Sequence, residues 1–168
     1  MPAVAITDHG NMFGVKDFYD ACRAAKIKPI LGMEAYVATE PHTERNTRSG
    51  EHLVLLAKNH LGYKNLVELS SIAYIDGFYY RPRIDKSLLE KYHEGLIVSS
   101  ACLAGEIPNL ISNGNMAEAE KSAKWFKKVF RDDFYLEIML HHANAREVPE
   151  HIVSRINEEV YERQLILN

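Results

Sequence analysis

Cysteine is scarce in this sequence: Cys22 and Cys102 stand far apart and no CxxC occurs. That excludes a disulfide framework and a zinc ribbon, and makes a reducing cytoplasm the default compartment. Glycine and proline are few as well, 9 and 6 of 168 residues, beside 46% hydrophobic residues, which excludes disordered and collagen-like chains and leaves enough apolar side chains for one buried core. Charge of one sign is lacking: 20 Lys and Arg face 23 Asp and Glu, a net charge of -3. A dedicated nucleic-acid coat concentrates positive charge to displace counterions, so any contact with DNA has to be local. No apolar run approaches the ~20 residues of a membrane span, and the first residues lack the basic and apolar regions of a signal peptide. The expectation is a soluble, cytoplasmic chain with no membrane partner. GxSxG and both common Gly-rich phosphate loops are missing too, which weakens a serine or cysteine hydrolase reading.

What is present is an alternation of short apolar strands and amphipathic helices, with no repeat and no linker, the pattern of one α/β unit built on a mainly parallel sheet. Residues 1–6 (MPAVAI) read as a buried strand leading into the turn Thr7-Asp8-His9-Gly10. A helix follows, with Val15, Phe18, Tyr19 and Cys22 at helical spacing, and Lys28 to Val37 (KPILGMEAYV) is the next strand. The polar stretch 39–50 carries no helical period before the strand His52 to Ala57, so these two strands are expected to be antiparallel neighbours. Next come a helix at 63–75, an aromatic and basic loop FYYRPR, a short helix started by Asp85 or by the Ser87 and Glu90 capping pair, and a strand at 96–99. Pro108 and Gly114 bound another helix, Met116 to Phe130 marks a longer one, Phe134 to Met139 a last strand, and Glu147 to Ile166 a final helix.

Candidate chemistry gathers where strands end. His9, directly after a strand, has the position of a metal ligand, with Asp8 able to fix its tautomer from behind; a turn in which Asp8 bonds its own backbone and Gly10 takes a positive φ is the competing reading. Glu34 interrupts an apolar strand and wants a cation, and hairpin pairing would bring it near His52; an outward-facing Glu34 is the alternative. Cys102 follows the strand LIVS, where it is either a thiolate ligand or a small buried hydrophobe. Cys22 belongs to the core. Of His141 and His142 at most one points inward, and His42, His60, His93 and His151 read as solvated. Tyr79, Tyr80, Arg81 and Arg83 suit phosphate contact or base stacking, against a surface loop whose arginines stay in water.

The segments MPAVAITDHGNMFG, FYDACRAAKIKPILGMEAYVA, HLVLLAKNHLGYKNLVELSS, FYYRPRID and GLIVSSACLAGEIP together resemble the polymerase and histidinol phosphatase (PHP) domain, in the form carried by the α subunit of bacterial replicative DNA polymerase III. The resemblance spans nearly the whole chain. It implies a (β/α)7 barrel, here partial, with a metal site at the C-terminal rim to which His9, Glu34, His52 and Cys102 match as ligands of divalent Zn, Mn or Mg. It also implies phosphoester cleavage, as a 3'-5' exonuclease or pyrophosphatase, or else a scaffold that stabilises the polymerase and docks its proofreading subunit; a stand-alone phosphatase is the more distant reading. The implied partners are the rest of the α subunit, the proofreading exonuclease subunit, the sliding-clamp assembly and, through the parent protein, DNA. The family opens with an HxH motif and closes with Asp-x-His, and neither is found here. Residues 1–168 are therefore expected to be the central part of a single domain, weak in metal binding, inactive by itself and prone to self-association.

Overall fold

The computed structural model describes residues 1–48, 50–139 and 164. Within them the chain forms β1 (Ala3–Ile6), α1 (Val15–Ala24), β2 (Lys28–Val37), β3 (Glu51–Ala57), α2 (His60–Ile75), β4 (Arg83–Ile84), α3 (Lys86–Lys91), β5 (Leu96–Ser99), α4 (Glu106–Ser112), α5 (Met116–Phe130) and β6 (Phe134–Tyr135). The six strands make one open sheet in the order β1-β2-β3-β5-β6, with β4 against the far end of β2 on the edge that β1 uses. Pairing is parallel for β1 with β2, β4 with β2 and β5 with β6, and antiparallel on both sides of β3. One reversed strand in an otherwise parallel sheet is the architecture of a partial barrel, as the sequence leads one to expect.

Period-two alternation sorts the two faces of the sheet. Met33, Ala35 and Val37 of β2 are buried together with Leu53 and Leu55 of β3 and Leu96 and Val98 of β5. They form one cluster with Leu66, Leu69 and Ala73 of α2 and Ala119, Ala123, Phe126 and Phe130 of α5. The opposite face carries Glu34 and Tyr36 of β2 and His52 of β3, and in the observed register Tyr36 lies across from His52 and Glu34 from Val54. A slip of one residue would send all three into the apolar core, so burial of the other face holds the register of the polar one.

Local signals start the helices where they are needed. Asn59 caps α2, its side chain accepting from the Gly62 N–H; Asp85 caps α3, accepting from Leu88; and Asn115 caps α5, accepting from Glu118. Asp85 rather than the Ser87 and Glu90 pair thus begins α3. The strand expected over 134–139 pairs only at Phe134 and Tyr135, because its partner β5 ends at Ser99 and Ala101 turns the chain away at φ 57°. The ladder at β4, two residues that start at Arg83, the last of the aromatic and basic loop, carries too few residues to show a period. Among the described residues no helix is long and apolar enough to cross a membrane. The helix expected at 147–166, apart from Gln164, lies outside the described residues, as do His141, His142 and His151.

Candidate metal centre

Reversal of β3 decides what meets at the rim. His52 stands at its beginning, and an antiparallel strand begins where its parallel neighbours end, so His52 joins residues that follow β1 and β5. Past Ile6 the chain stays beside β2: the Glu34 N–H donates to the Asp8 carbonyl (3.1 Å) and the Gly10 N–H to the Glu34 carbonyl (2.9 Å). Gly10 has φ +67°, and a Cβ there would lie 2.8 Å from Pro82 and 2.9 Å from the Tyr36 ring; only glycine gives both the turn and the approach. On the other side the His52 N–H donates to the Ala104 carbonyl (2.9 Å), and the Gly105 N–H to the Cys102 carbonyl (2.9 Å). A Cβ on Gly105 would meet the Ser100 carbonyl oxygen at 2.1 Å, so the loop that carries Cys102 closes only around a residue with no side chain.

Three of these side chains converge. Oε1 of Glu34 lies 2.7 Å from Nδ1 of His52 and 3.7 Å from Nδ1 of His9, and donor atoms of the three fall within 4.8 Å of one another, close enough to hold a metal ion. Sγ of Cys102 is 3.8 Å from Nδ1 of His52. The Glu34 and His52 side chains are 16% and 15% exposed while His9 is 57% exposed, so the cluster has a sheltered floor and an open outer wall. One carboxylate, two imidazoles and a neighbouring thiol form a borderline donor set suited to Zn or Mn, and able to take a harder ion through the carboxylate. The residues present therefore fit a divalent cation.

Tyr36 completes the floor. Its ring stacks on that of His9 (centroids 6.1 Å apart, planes at 14°) and meets that of His52 edge-on (5.1 Å, 78°). The sequence reading passes over it, although a residue two positions after Glu34 on a strand shares its face. The Arg81 guanidinium carbon lies 4.9 Å from the centre of the Tyr36 ring.

Other expected site residues are placed differently. The Asp8 carboxylate faces Gly14, the N-cap of α1, 3.1 Å from where a Cβ would stand, and among the described residues no hydrogen bond joins it to His9. Arg83 is neither a phosphate contact nor solvated. It is fully buried, and its guanidinium donates to the carbonyls of Gly77, Thr47, His42 and Glu44, because β4 runs beneath the 39–48 segment and those carbonyls need a donor. His42, expected in solvent, is tied into the same region: its backbone N–H donates to Asp85 Oδ2 (2.8 Å) and its ring Nδ1 lies 2.6 Å from the same atom. Burial would push the Asp85 carboxyl up, but hydrogen bonds from Ser87, from the His42 backbone and ring and from the Leu88 N–H outweigh it and hold the group at about 2. On the far side of β3, burial pushes the Glu51 carboxyl up; the Asn109 amide opposes this, Glu106 adds to it and His52 opposes it. His60 and His93 are exposed and Cys22 is buried, as expected.

Comparison of the amino-acid sequence with known proteins finds named relatives. The chain is 52% identical to the DNA polymerase III subunit alpha of Borreliella burgdorferi over 152 residues, 88% of this chain and 13% of that protein. It is 47% identical over 169 residues to the subunit of the same name in Campylobacter jejuni, covering 94% of this chain and 14% of the relative, and 46% identical over 164 residues to that of Aquifex aeolicus. The chain thus spans about one seventh of the length of these relatives. The family model described as the PHP domain matches residues 1–141, which take in β1 to β6 and every residue of the His9, Glu34, His52 and Cys102 cluster, and on that match the chain belongs to the PHP domain family.

Proposed function

We propose that this chain is the PHP domain of a replicative DNA polymerase of the polymerase III α type, and that its rim holds divalent metal for phosphoester chemistry. The observation that carries the reading is Glu34 Oε1 standing between the Nδ1 atoms of His52 and His9 at 2.7 and 3.7 Å. A carboxylate on the polar face of a sheet, shared by two imidazoles and backed by Cys102, has no better partner than a cation. His9, Glu34, His52 and Cys102 are the residues that would hold it. When bound, such ions polarise phosphoryl oxygens and supply hydroxide at neutral pH. The chain's own part is to keep these donors converged: Tyr36 fixes the two imidazole planes, Gly105 lets the Cys102 loop close on His52, and the apolar core behind β2 and β3 bars a register slip.

In the whole protein this site would work beside the nucleotidyltransferase that replicates DNA, either cleaving phosphoesters as a 3'-5' exonuclease or pyrophosphatase, or serving as the scaffold that steadies the polymerase and docks the proofreading subunit within the sliding-clamp assembly. Titration of the whole polymerase subunit that carries this chain with Mn²⁺ and Zn²⁺, followed by assay of metal-dependent release of nucleotides from a 3' end, separates the two. Metal binding with release, both lost in His9→Ala and His52→Ala, supports the phosphoesterase. Metal binding without release assigns the site to the scaffold, and absence of any binding by the wild type overturns the metal reading.

A further inference from the structure

An exposed arginine in a surface loop samples many rotamers, and ordering it on a ligand costs that rotamer freedom. Arg81 is exposed but not free in this sense. Its carbonyl accepts from the Tyr79 N–H (3.0 Å) across a turn that holds Tyr80 at φ 61°. Pro82 follows, packed where a side chain on Gly10 would stand. Arg83 comes next, buried, paired in register with Tyr36 and fastened to four backbone carbonyls. The Arg81 backbone is thus pinned to the same strand that carries Glu34 and Tyr36.

The side chain is held as well. Its guanidinium carbon lies 4.9 Å from the centre of the Tyr36 ring, the ring that stacks on His9 and abuts His52. Stacking engages the face of a guanidinium and leaves the in-plane N–H groups available. Its neighbours spend theirs: Arg83 on carbonyls, Arg48 on the Tyr80 hydroxyl at 2.6 Å. Among the described residues no carboxylate, carbonyl or hydroxyl takes the Arg81 donors. A fixed cation with free donors at the edge of a metal-ligating cluster is what an incoming phosphate needs, because a guanidinium fork addresses two oxygens of one tetrahedral group.

We propose that Arg81, held over Tyr36, is a phosphate-binding residue of this rim, gripping the oxygens of a phosphoryl group that faces the His9, Glu34 and His52 cluster. The proposal rests on the metal reading above, and the experiment keeps the two apart. Wild type, Arg81→Ala, Arg81→Lys and, as a control for loss of one positive charge elsewhere, Lys124→Ala are titrated by calorimetry first with Mn²⁺ alone and then, in saturating Mn²⁺, with inorganic phosphate. The expected result is Mn²⁺ affinity within about twofold of wild type throughout. Phosphate affinity falls about tenfold in Arg81→Ala, is partly restored in Arg81→Lys, which keeps the charge but loses the fork, and is unchanged in Lys124→Ala. Equal phosphate affinity in wild type and Arg81→Ala, with Mn²⁺ bound in both, overturns the role of Arg81 and leaves the metal site standing. An equal loss in Lys124→Ala overturns it too, since the effect is then one of net charge. No Mn²⁺ binding by the wild type brings down the metal reading and this proposal with it.

Discussion

Glu34 is the residue on which the cluster turns, since one of its oxygens faces both His9 and His52. Glu34→Gln keeps the shape and removes the charge; divalent-metal affinity should fall at least ~10-fold, read by competition with a metallochromic dye, while the melting temperature changes little. Arg83 shows the opposite kind of importance. Arg83→Met leaves the carbonyls of Gly77, Thr47, His42 and Glu44 without their donor, and should cost about 3 kcal/mol or more in chemical denaturation. Asp85 gives a prediction in pH. Its carboxyl is held at about 2 against an ordinary value of 3.8, so the unfolded chain takes up the proton first. The stability it contributes is fully present above about pH 4 and is lost as the pH falls toward 2. Asp85→Asn should be less stable at neutral pH and show a flatter acid limb over that interval; an unchanged acid limb would mean that other carboxyls set it.

The loop after β5 and the start of β3 are coupled elements, because the backbone of Gly105 bridges to His52 while its missing side chain makes room for the Ser100 carbonyl. Gly105→Ala should therefore lower both the melting temperature and the affinity for Mn²⁺, whereas a core truncation such as Leu55→Ala, at a fully buried position of β3, should cost about 2–5 kcal/mol with metal affinity retained wherever the protein remains folded. Elements of this size were legible in the sequence to unequal degrees. Ten residues of β2 and the whole of β5 could be read to the residue, since each is a short apolar run bounded by polar or turn residues. β4 and the short β6 could not, because two paired residues carry no period; what makes them strands is a neighbour supplied from far along the chain.

Across the whole molecule, protection is expected to fall outward from the pair β2 and β3, which share the longest ladder and cover the core. Amide exchange should be slowest at Met33, Ala35 and Leu55, and faster at the N–H groups of the polar stretch 39–48, among which those of His42, Glu44 and Thr47, donated to Asp85, to the Pro41 carbonyl and to Glu40, should exchange more slowly than exposed ones. The sequence by itself determined the alternation of strands and helices, the antiparallel pairing of the strands around Glu34 and His52, and the residue types able to bind metal, because these depend on local period, turn chemistry and donor chemistry. It left open whether His9 and Cys102 were ligands or a turn and a core residue, and it placed His42 and Arg83 in solvent or at a phosphate. Tertiary structure set where all four side chains stand. A reversed β3 carries His52 to the ends of its parallel neighbours, the Gly10 turn presses against Tyr36, and β4 slides Arg83 beneath carbonyls some forty positions away; proximity of that kind is set by strand order, which no local pattern encodes.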